Sequence, residues 1–105
     1  MENTGAAERE SDFLRFILVA SDIQSTLLLK NLTRAQTNAI SEICFNILHS
    51  EHIEQEVLVG LKRHANLIRR LGERNSGVDV RRRTIKERPQ IILNIIRQVE
   101  SMLPI

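Results

Sequence analysis

The lysine and arginine residues of this 105-residue chain are the side chains whose type and spacing most clearly indicate a chemical role. Residues 62–88 contain ten basic residues against three acidic ones, a net charge of +7. Residues 1–61 contain four basic against nine acidic residues, a net charge of −5, so the whole-chain charge of +2 hides the division. Arginine outnumbers lysine eight to two in the positive block. Because a planar guanidinium group matches phosphate oxygens, the block predicts a phosphate-bearing anionic partner.

The expected partner is duplex nucleic acid, with DNA as the expected duplex. Contacts between cations and phosphates give affinity and salt dependence but little sequence reading. A single-strand binder would need aromatic rings for base stacking, and the chain has three Phe, no Trp and no Tyr. Two other interpretations stay open, an ordinary solvated face and a nuclear-import signal at residues 81–83. The predicted nucleic-acid-binding residues are Lys62, Arg63, Arg69, Arg70, Arg74, Arg81, Arg82, Arg83, Lys86 and Arg88.

A cluster of glutamates before the basic block suggests an alternative function. Glu42, Glu51, Glu54 and Glu56 would lie near the end of the third predicted helix and the start of the fourth. An acidic patch on one copy could bind the basic block of another copy and give a homo-oligomer. The simpler interpretation is that these side chains favour a helix N-terminus. The alternative to nucleic-acid binding is therefore a helical assembly module that self-associates through opposed acidic and basic faces.

Residues capable of nucleophilic or metal chemistry are few. Cys44 falls on an apolar helical stripe, which predicts a buried core residue rather than a nucleophile. His49, His52 and His64 lack the tight four-ligand spacing of structural zinc. The glycines form no phosphate-cradling motif. We therefore predict a non-enzymatic protein with no cofactor, no metal site and no small-molecule substrate.

The elements that must position the cations are helices. Apolar residues recur at helical spacing along the whole chain, which predicts an all-α, compact bundle of five or six short helices. Ser21 with Gln24, and Thr33 with Gln36, match the capping box that begins a helix. A single kinked helix over residues 9–30 is the alternative to the first two helices. The predicted helices cover residues 9–20, 21–30, 33–49, from 50–55 to 71, 79–88 and 90–103.

Specific residues mark the ends of the later helices. Gly72 fits the left-handed position after the last turn of the fourth helix, and Asp79 is the expected N-cap of the fifth. Pro89 either ends the fifth helix or occupies the first turn of the last one. The apolar stripe over residues 91–103 either closes the core or binds a partner. If the fourth and fifth helices form a hairpin, the basic residues share one edge of the bundle.

Length and composition predict one helical domain over residues 9–105, preceded by a flexible N-terminal tail over residues 1–8. The polar, acidic start lacks the features of a secretory signal. The most apolar window, which begins near Phe13, is too polar to span a bilayer. Since the chain also has a single cysteine, we expect an intracellular protein without membrane contact, located in the nucleus if residues 81–83 act as an import signal.

Six short segments carry a resemblance to known proteins: LTRAQ at 32–36, AISEI at 39–43, NIL at 46–48, LKRH at 61–64, IRRL at 68–71 and VDVRRR at 78–83. In this order they resemble small basic proteins encoded by adintoviruses and related Polinton-like elements of animals. Those proteins usually continue into a glycine-containing apolar tail, whereas here Pro89 opens an isoleucine-rich helix. The resemblance implies a small virus-encoded protein, associated with the genome or the virion core and without enzymatic activity.

Overall fold

Helices make up almost all of the regular structure in the computed structural model, which describes residues 5–73 and 75–105. Within these ranges there is no strand, and eight α-helices are followed by a 3₁₀ turn over Glu100–Met102. The all-α prediction is confirmed, but the expected count of five or six helices is wrong, because residues of the predicted tail form an additional helix and one predicted helix is broken in two. The helices are α1 (Ala6–Arg9), α2 (Ser11–Val19), α3 (Asp22–Leu29), α4 (Arg34–His49), α5 (Gln55–Lys62), α6 (Ala65–Gly72), α7 (Val78–Glu87) and α8 (Pro89–Gln98).

The additional helix, α1, is formed mainly by residues of the predicted tail and takes only Arg9 from the helix predicted over residues 9–20. Glu10 leaves the helical conformation at φ −107° and ψ 30°, and this residue separates α1 from α2. Part of the expected flexible tail, residues 1–4, lies outside the described residues. The remainder of that tail enters α1, where Ala6 and Ala7 are buried.

A break at His64 divides the helix predicted to end at Leu71. His64 adopts φ −110° and ψ 16° between α5 and α6. The apolar spacing of Leu61, Ala65 and Ile68 continues across this break, so the sequence pattern does not reveal it. The helices on either side have different packing partners, since α5 contacts α8 and α6 contacts α4. The chain bends at His64 because it passes from one partner to the other.

Both predicted capping boxes are confirmed. The Ser21 hydroxyl accepts from the Gln24 N–H at 3.2 Å, and the Gln24 side-chain oxygen accepts from the Ser21 N–H at 3.4 Å. Thr33 and Gln36 form the same pair of bonds at 3.1 and 3.0 Å. Each box satisfies two backbone donors that a helix start leaves without intrahelical partners. The breaks that begin α3 and α4 are therefore encoded locally.

Two central helices organise the core. Helix α4 is buried along most of residues 37–47 and packs against α1, α6 and α7. Helix α8 packs against α2, α3, α5 and α7. Ile92, Ile95 and Ile96 are fully buried in α8, so the C-terminal stripe closes the core rather than protruding. None of the described helices is both long and apolar enough to cross a membrane.

The helix-end roles expected for Gly72 and Asp79 are wrong, and the structure settles whether Pro89 ends one helix or begins the next. Gly72 lies inside the last turn of α6, and Gly5 is the described glycine with a positive φ, at 75°. The N-cap of α7 is Gly77, which places Asp79 inside the first turn. Pro89 occupies the first turn of α8, where its missing N–H would have no intrahelical acceptor.

Candidate nucleic-acid interface

Helix α6 presents its cations on the side opposite the core. Leu67, Ile68 and Leu71 are buried against α4, which turns Arg69 and Arg70 towards solvent. The Arg69 guanidinium donates to the Asn66 side-chain oxygen at 3.2 Å and lies 3.9 Å from the Glu73 carboxylate. Arg70 forms no hydrogen bond or ion pair with any other described residue. Of these two guanidinium groups, that of Arg70 is the more available to a ligand.

Helix α7 divides its basic residues between two environments. Thr84 and Ile85 are buried, and the helical rotation of about 100° per residue turns Arg83 and Lys86 outward. Both of these cations are exposed and make no side-chain hydrogen bond or ion pair within the described ranges. The Arg82 guanidinium instead pairs with the Asp79 carboxylate at 2.6 Å and donates to the Leu32 carbonyl at 3.4 Å.

Arg81 is a buried structural residue rather than part of the exposed surface. It is 8% exposed, unlike most of the other described cations of the block. Its guanidinium donates to the Ser41 hydroxyl at 2.6 Å, the Asn38 side-chain oxygen at 3.1 Å and the Ser76 carbonyl at 3.3 Å. These bonds join α7 to α4 and to the turn before α7. The sequence carried a signal for this role, because Arg81 lies one turn before the buried Ile85.

A groove of about 570 Å³ separates the exposed faces of α6 and α7. Both helices pack on α4, and the turn that joins them also lines the groove. Arg83 lies about 60° around α7 from Val80, next to the groove, whereas Arg82 lies about 160° away on the other side. The lining combines the cations Arg69, Arg70 and Arg81 with the Glu73 carboxylate and with neutral groups from Asn66, Leu71, Asn75, Ser76, Val80 and Thr84.

The other predicted site residues lie around this pair of helices or outside the described structure. Lys62 and Arg63 are exposed at the end of α5, which is a separate helix from α6. Arg88 is exposed at the junction of α7 and α8. Arg74 lies outside the described residues. The structure therefore distributes the predicted set over three helices instead of the two that the sequence indicated.

The start of α7 adds a positive electrostatic contribution. Its N-cap, Gly77, has no side chain to accept from the first-turn N–H groups. Those groups and the helix dipole favour negative charge at this end. Asp79 already supplies one carboxylate there, and it is paired with Arg82. The remaining positive potential arises chiefly from the exposed arginine and lysine side chains.

The acidic cluster of the alternative function is smaller in the structure than expected. Glu51, Glu54 and Glu56 are exposed around the start of α5. Glu42 does not belong to this surface, because it is 1% exposed in the middle of α4. Its carboxylate accepts from the N–H groups of Ala6 and Ala7, both at 3.2 Å. The Glu42 carboxylate therefore lies at the N-terminus of α1, where the helix dipole is positive.

Cys44 and His49, two of the candidate nucleophile and metal-type residues, are explained by their contacts within α4 and the core. Cys44 is buried, as predicted, and burial raises the pKa of its thiol to about 12. The His49 ring stacks obliquely on Phe45 at a centroid distance of 4.1 Å, and its Nδ1 lies 2.9 Å from the Phe45 carbonyl oxygen. Among the described residues, no three His, Cys, Asp or Glu side chains are placed to hold a metal ion.

Comparison with known proteins finds no family model, no curated protein and no solved structure that matches this chain. Any functional inference for this molecule therefore rests on its own residues and their arrangement.

Proposed function

We propose that this protein is a non-enzymatic binder of duplex nucleic acid, DNA in particular, that contacts the phosphate backbone through the exposed cations of α5, α6 and α7. The observation that carries the proposal is the group of six exposed cations that have no described protein partner. A genome- or virion-associated role, which the adintoviral resemblance implies, fits such a protein. We call these six residues the basic surface: Lys62, Arg63, Arg70, Arg83, Lys86 and Arg88.

The energetics of the surface favour binding of an external anion. An exposed guanidinium group with no carboxylate partner has no intramolecular ion pair to give up when it meets a phosphate. By contrast, the Arg82 guanidinium would have to be shared between a phosphate and the Asp79 carboxylate. If Arg81 turned towards a phosphate, its buried acceptors would lose their donor. The proposal therefore omits Arg81 from the binding surface and gives Arg82 and Arg69 a secondary role.

Duplex is favoured over single strand because aromatic residues are absent from this surface. Phe13 and Phe45 are buried, and Phe16 is exposed on α2, away from the helices that carry the cations. Base stacking on aromatic rings supplies much of the affinity of single-strand binders. A surface of arginine and lysine on rigid helices instead suits a regular array of phosphates.

A salt titration of binding to duplex DNA tests the proposal. If about six phosphates are neutralised, a plot of log affinity against log salt concentration has a slope near −5. The triple variant Arg70→Gln, Arg83→Gln, Lys86→Gln should reduce that slope by about 3 and weaken binding to all sequences alike. Duplex RNA and an acidic polypeptide, measured in parallel, establish which polyanion binds most tightly.

The matched control removes charge elsewhere on the molecule. Lys30→Gln with Arg34→Gln neutralises two exposed cations that lie before and at the start of α4. This double variant lowers the net charge without removing any of the six cations of the proposed binding surface, so the slope should stay close to that of the wild type. A flat salt dependence, an absence of duplex binding at low salt, or equal losses in both variants would contradict the proposal.

A second candidate function is charge-mediated assembly, in which the basic surface binds an acidic surface of another copy. The observation that favours it is the exposure of Glu51, Glu54 and Glu56 around the start of α5. Light scattering at low and high salt tests it, because exposed charge pairs weaken as salt screens them. Glu51→Gln with Glu54→Gln should abolish any such assembly, and a protein that stays monomeric at low salt would exclude it.

A further inference from the structure

An apolar face on α2 and α3 has no partner within the described molecule. Phe16 is 45% exposed, Val19 78%, Ile23 78% and Leu27 59%. Single exposed apolar residues are common on protein surfaces, whereas the largest contiguous apolar patch on a protein is often an interaction site. We call these four residues the α2–α3 face.

The four side chains form one continuous surface. Phe16 and Val19 are three residues apart in α2, and Ile23 and Leu27 are four residues apart in α3, so each pair shares one side of its helix. Phe16 and Leu27 also line the same groove, of about 320 Å³, together with Leu28. The two helices, joined through Ala20 and Ser21, therefore present their exposed apolar residues side by side.

The residues of the α2–α3 face do not contribute to the buried core. The inner sides of α2 and α3 already bury Leu14, Ile17 and Leu29 completely, and both helices contact α8. The outer side is thus an additional apolar surface on elements whose folding contacts are already made. Leaving several large apolar side chains in water is unfavourable, and burying them against a partner removes that cost.

The area of the face matches the requirement of a small homodimer. Four partly exposed side chains of these types present roughly 500 Å² of apolar surface, at the upper end of what a typical monomer shows. If two copies bury the same face, about 1,000 Å² is removed from water before any flanking contact is counted, which reaches the lower limit for a specific interface.

The charges around the face also permit a second copy to approach. Asp12 pairs with Arg15 at 3.5 Å, and Asp22 pairs with Arg97 at 2.6 Å, so this border is close to neutral. Two copies that met through the basic surface would repel each other, whereas this face carries little net charge. The same balance gives the face no excess of cations to attract anionic lipid or nucleic acid.

We propose that the α2–α3 face forms a symmetric homodimer in which the helix pair of one copy packs against the helix pair of the other. The contact is isologous, so Phe16, Ile23 and Leu27 of each copy occupy the same interface. This dimer differs from charge-mediated assembly in both its surface and its physics, because apolar contacts are not screened by salt. It leaves the basic surface on α6 and α7 of each copy exposed.

Sedimentation equilibrium of the full chain tests the dimer. The wild type should show a monomer–dimer equilibrium with a dissociation constant in the micromolar range, about as tight in high salt as in low salt. Ile23→Glu places a charge in the centre of the face and should raise the dissociation constant at least about tenfold. Val19→Ser, a milder change at an equally exposed position, should raise it by a smaller factor.

The matched control is Val59→Glu, a charge placed at another exposed apolar residue, 57% exposed on α5. It should leave the dissociation constant unchanged, and circular dichroism should show native helicity in all three variants. A wild type that stays monomeric up to about 500 µM overturns the proposal. So does a dimer that dissociates in high salt, or one that Val59→Glu weakens as much as Ile23→Glu. Binding of the monomer to vesicles of phosphatidylcholine and phosphatidylserine, lost in Ile23→Glu, would assign the face to membranes instead.

Discussion

Arg81 and Arg83 are separated by one residue yet perform different tasks. Arg81 bonds inside the protein to Ser41, Asn38 and Ser76, while Arg83 is exposed. Replacing Arg81 with Ala should lower the free energy of unfolding by about 2–4 kcal/mol, because buried acceptors lose a charged donor. Urea denaturation followed by circular dichroism measures the change.

The control for this prediction is Arg83→Ala, which should change the free energy of unfolding by less than about 0.5 kcal/mol. The two variants should show the opposite order in duplex binding, where Arg83→Ala lowers affinity and folded Arg81→Ala retains most of it. Equal stability of the two variants would show that the bonds of Arg81 do not matter to the fold.

Gly72 is required by helix packing. A methyl group at this position would lie 2.8 Å from the Phe45 backbone nitrogen and 2.9 Å from the Cys44 carbonyl carbon. The backbone of α4 cannot retreat from such a contact without moving other buried residues, so Gly72→Ala should destabilise the protein by about 1–3 kcal/mol. Thermal denaturation provides the measurement.

Gly60 supplies the matched control, since a methyl group there would meet only the end of the Gln98 side chain. That amide can rotate away, and alanine is the better helix former by about 1 kcal/mol. Gly60→Ala should therefore leave stability unchanged or raise it. A destabilisation equal to that of Gly72→Ala would contradict the packing argument.

Some residue roles were predictable from the sequence and others required the fold. Cys44 was correctly placed in the core because its neighbours on the helical stripe are apolar. Glu42 was grouped with the exposed glutamates, although it is the only Asp or Glu in α4, a helix that is buried along most of its length. Gly72 was identified as special for the wrong reason, because the approach of α4 is a tertiary contact that no local spacing encodes.

At the scale of elements, some helix boundaries are set by local sequence signals and others by tertiary packing partners. The capping boxes at Ser21 and Thr33 were predicted because both members of each bond lie within four residues. The break at His64 was missed because α5 and α6 continue one apolar pattern and diverge only to reach different partners. The groove between α6 and α7 likewise depends on their common support by α4.

The start of α7 is the helix end at which a substitution should improve the protein. Gly77 has φ −69° and ψ 166°, a conformation that serine adopts readily, and nothing described lies within 4 Å of an added Cβ. Gly77→Ser would supply a hydroxyl to accept from a first-turn N–H, and it would also reduce the freedom of the unfolded chain. We expect a gain of about 0.5–1 kcal/mol in the free energy of unfolding.

Gly77→Ala separates these two effects, because alanine restricts the unfolded chain but cannot cap the helix. The serine variant should be more stable than the alanine variant by about 1 kcal/mol, as measured by chemical denaturation. Equal stability of the two would mean that the first turn of α7 already has acceptors. Duplex binding by both variants should match the wild type, since neither changes a cation.

At the scale of the whole molecule, α4 and α8 join the helices into a single apolar cluster. The cluster includes buried residues from Ala7 to Leu103 and contains both Cys44 of α4 and Ile96 of α8. The basic surface is carried by α6 and α7, which pack on α4, and by α5, which packs on α8, while the α2–α3 face is carried by helices that pack on α8. A continuous core of this kind predicts that both groups unfold in one transition, as the expectation of a single domain requires.

The thiol of Cys44 can report on that cooperativity. Because the thiol is 1% exposed and its pKa is raised to about 12, it should react at mildly alkaline pH only when the protein opens. Ile96→Ala removes buried volume from α8 and should cost about 2–5 kcal/mol. If α4 and α8 unfold together, the labelling rate of Cys44 should rise about tenfold for each 1.4 kcal/mol lost, provided that reclosing outpaces labelling.

The control for this prediction is Val59→Ala, at an exposed position, which should leave the labelling rate of Cys44 unchanged. A destabilised Ile96→Ala protein whose Cys44 stays as protected as in the wild type would show that the two central helices unfold independently.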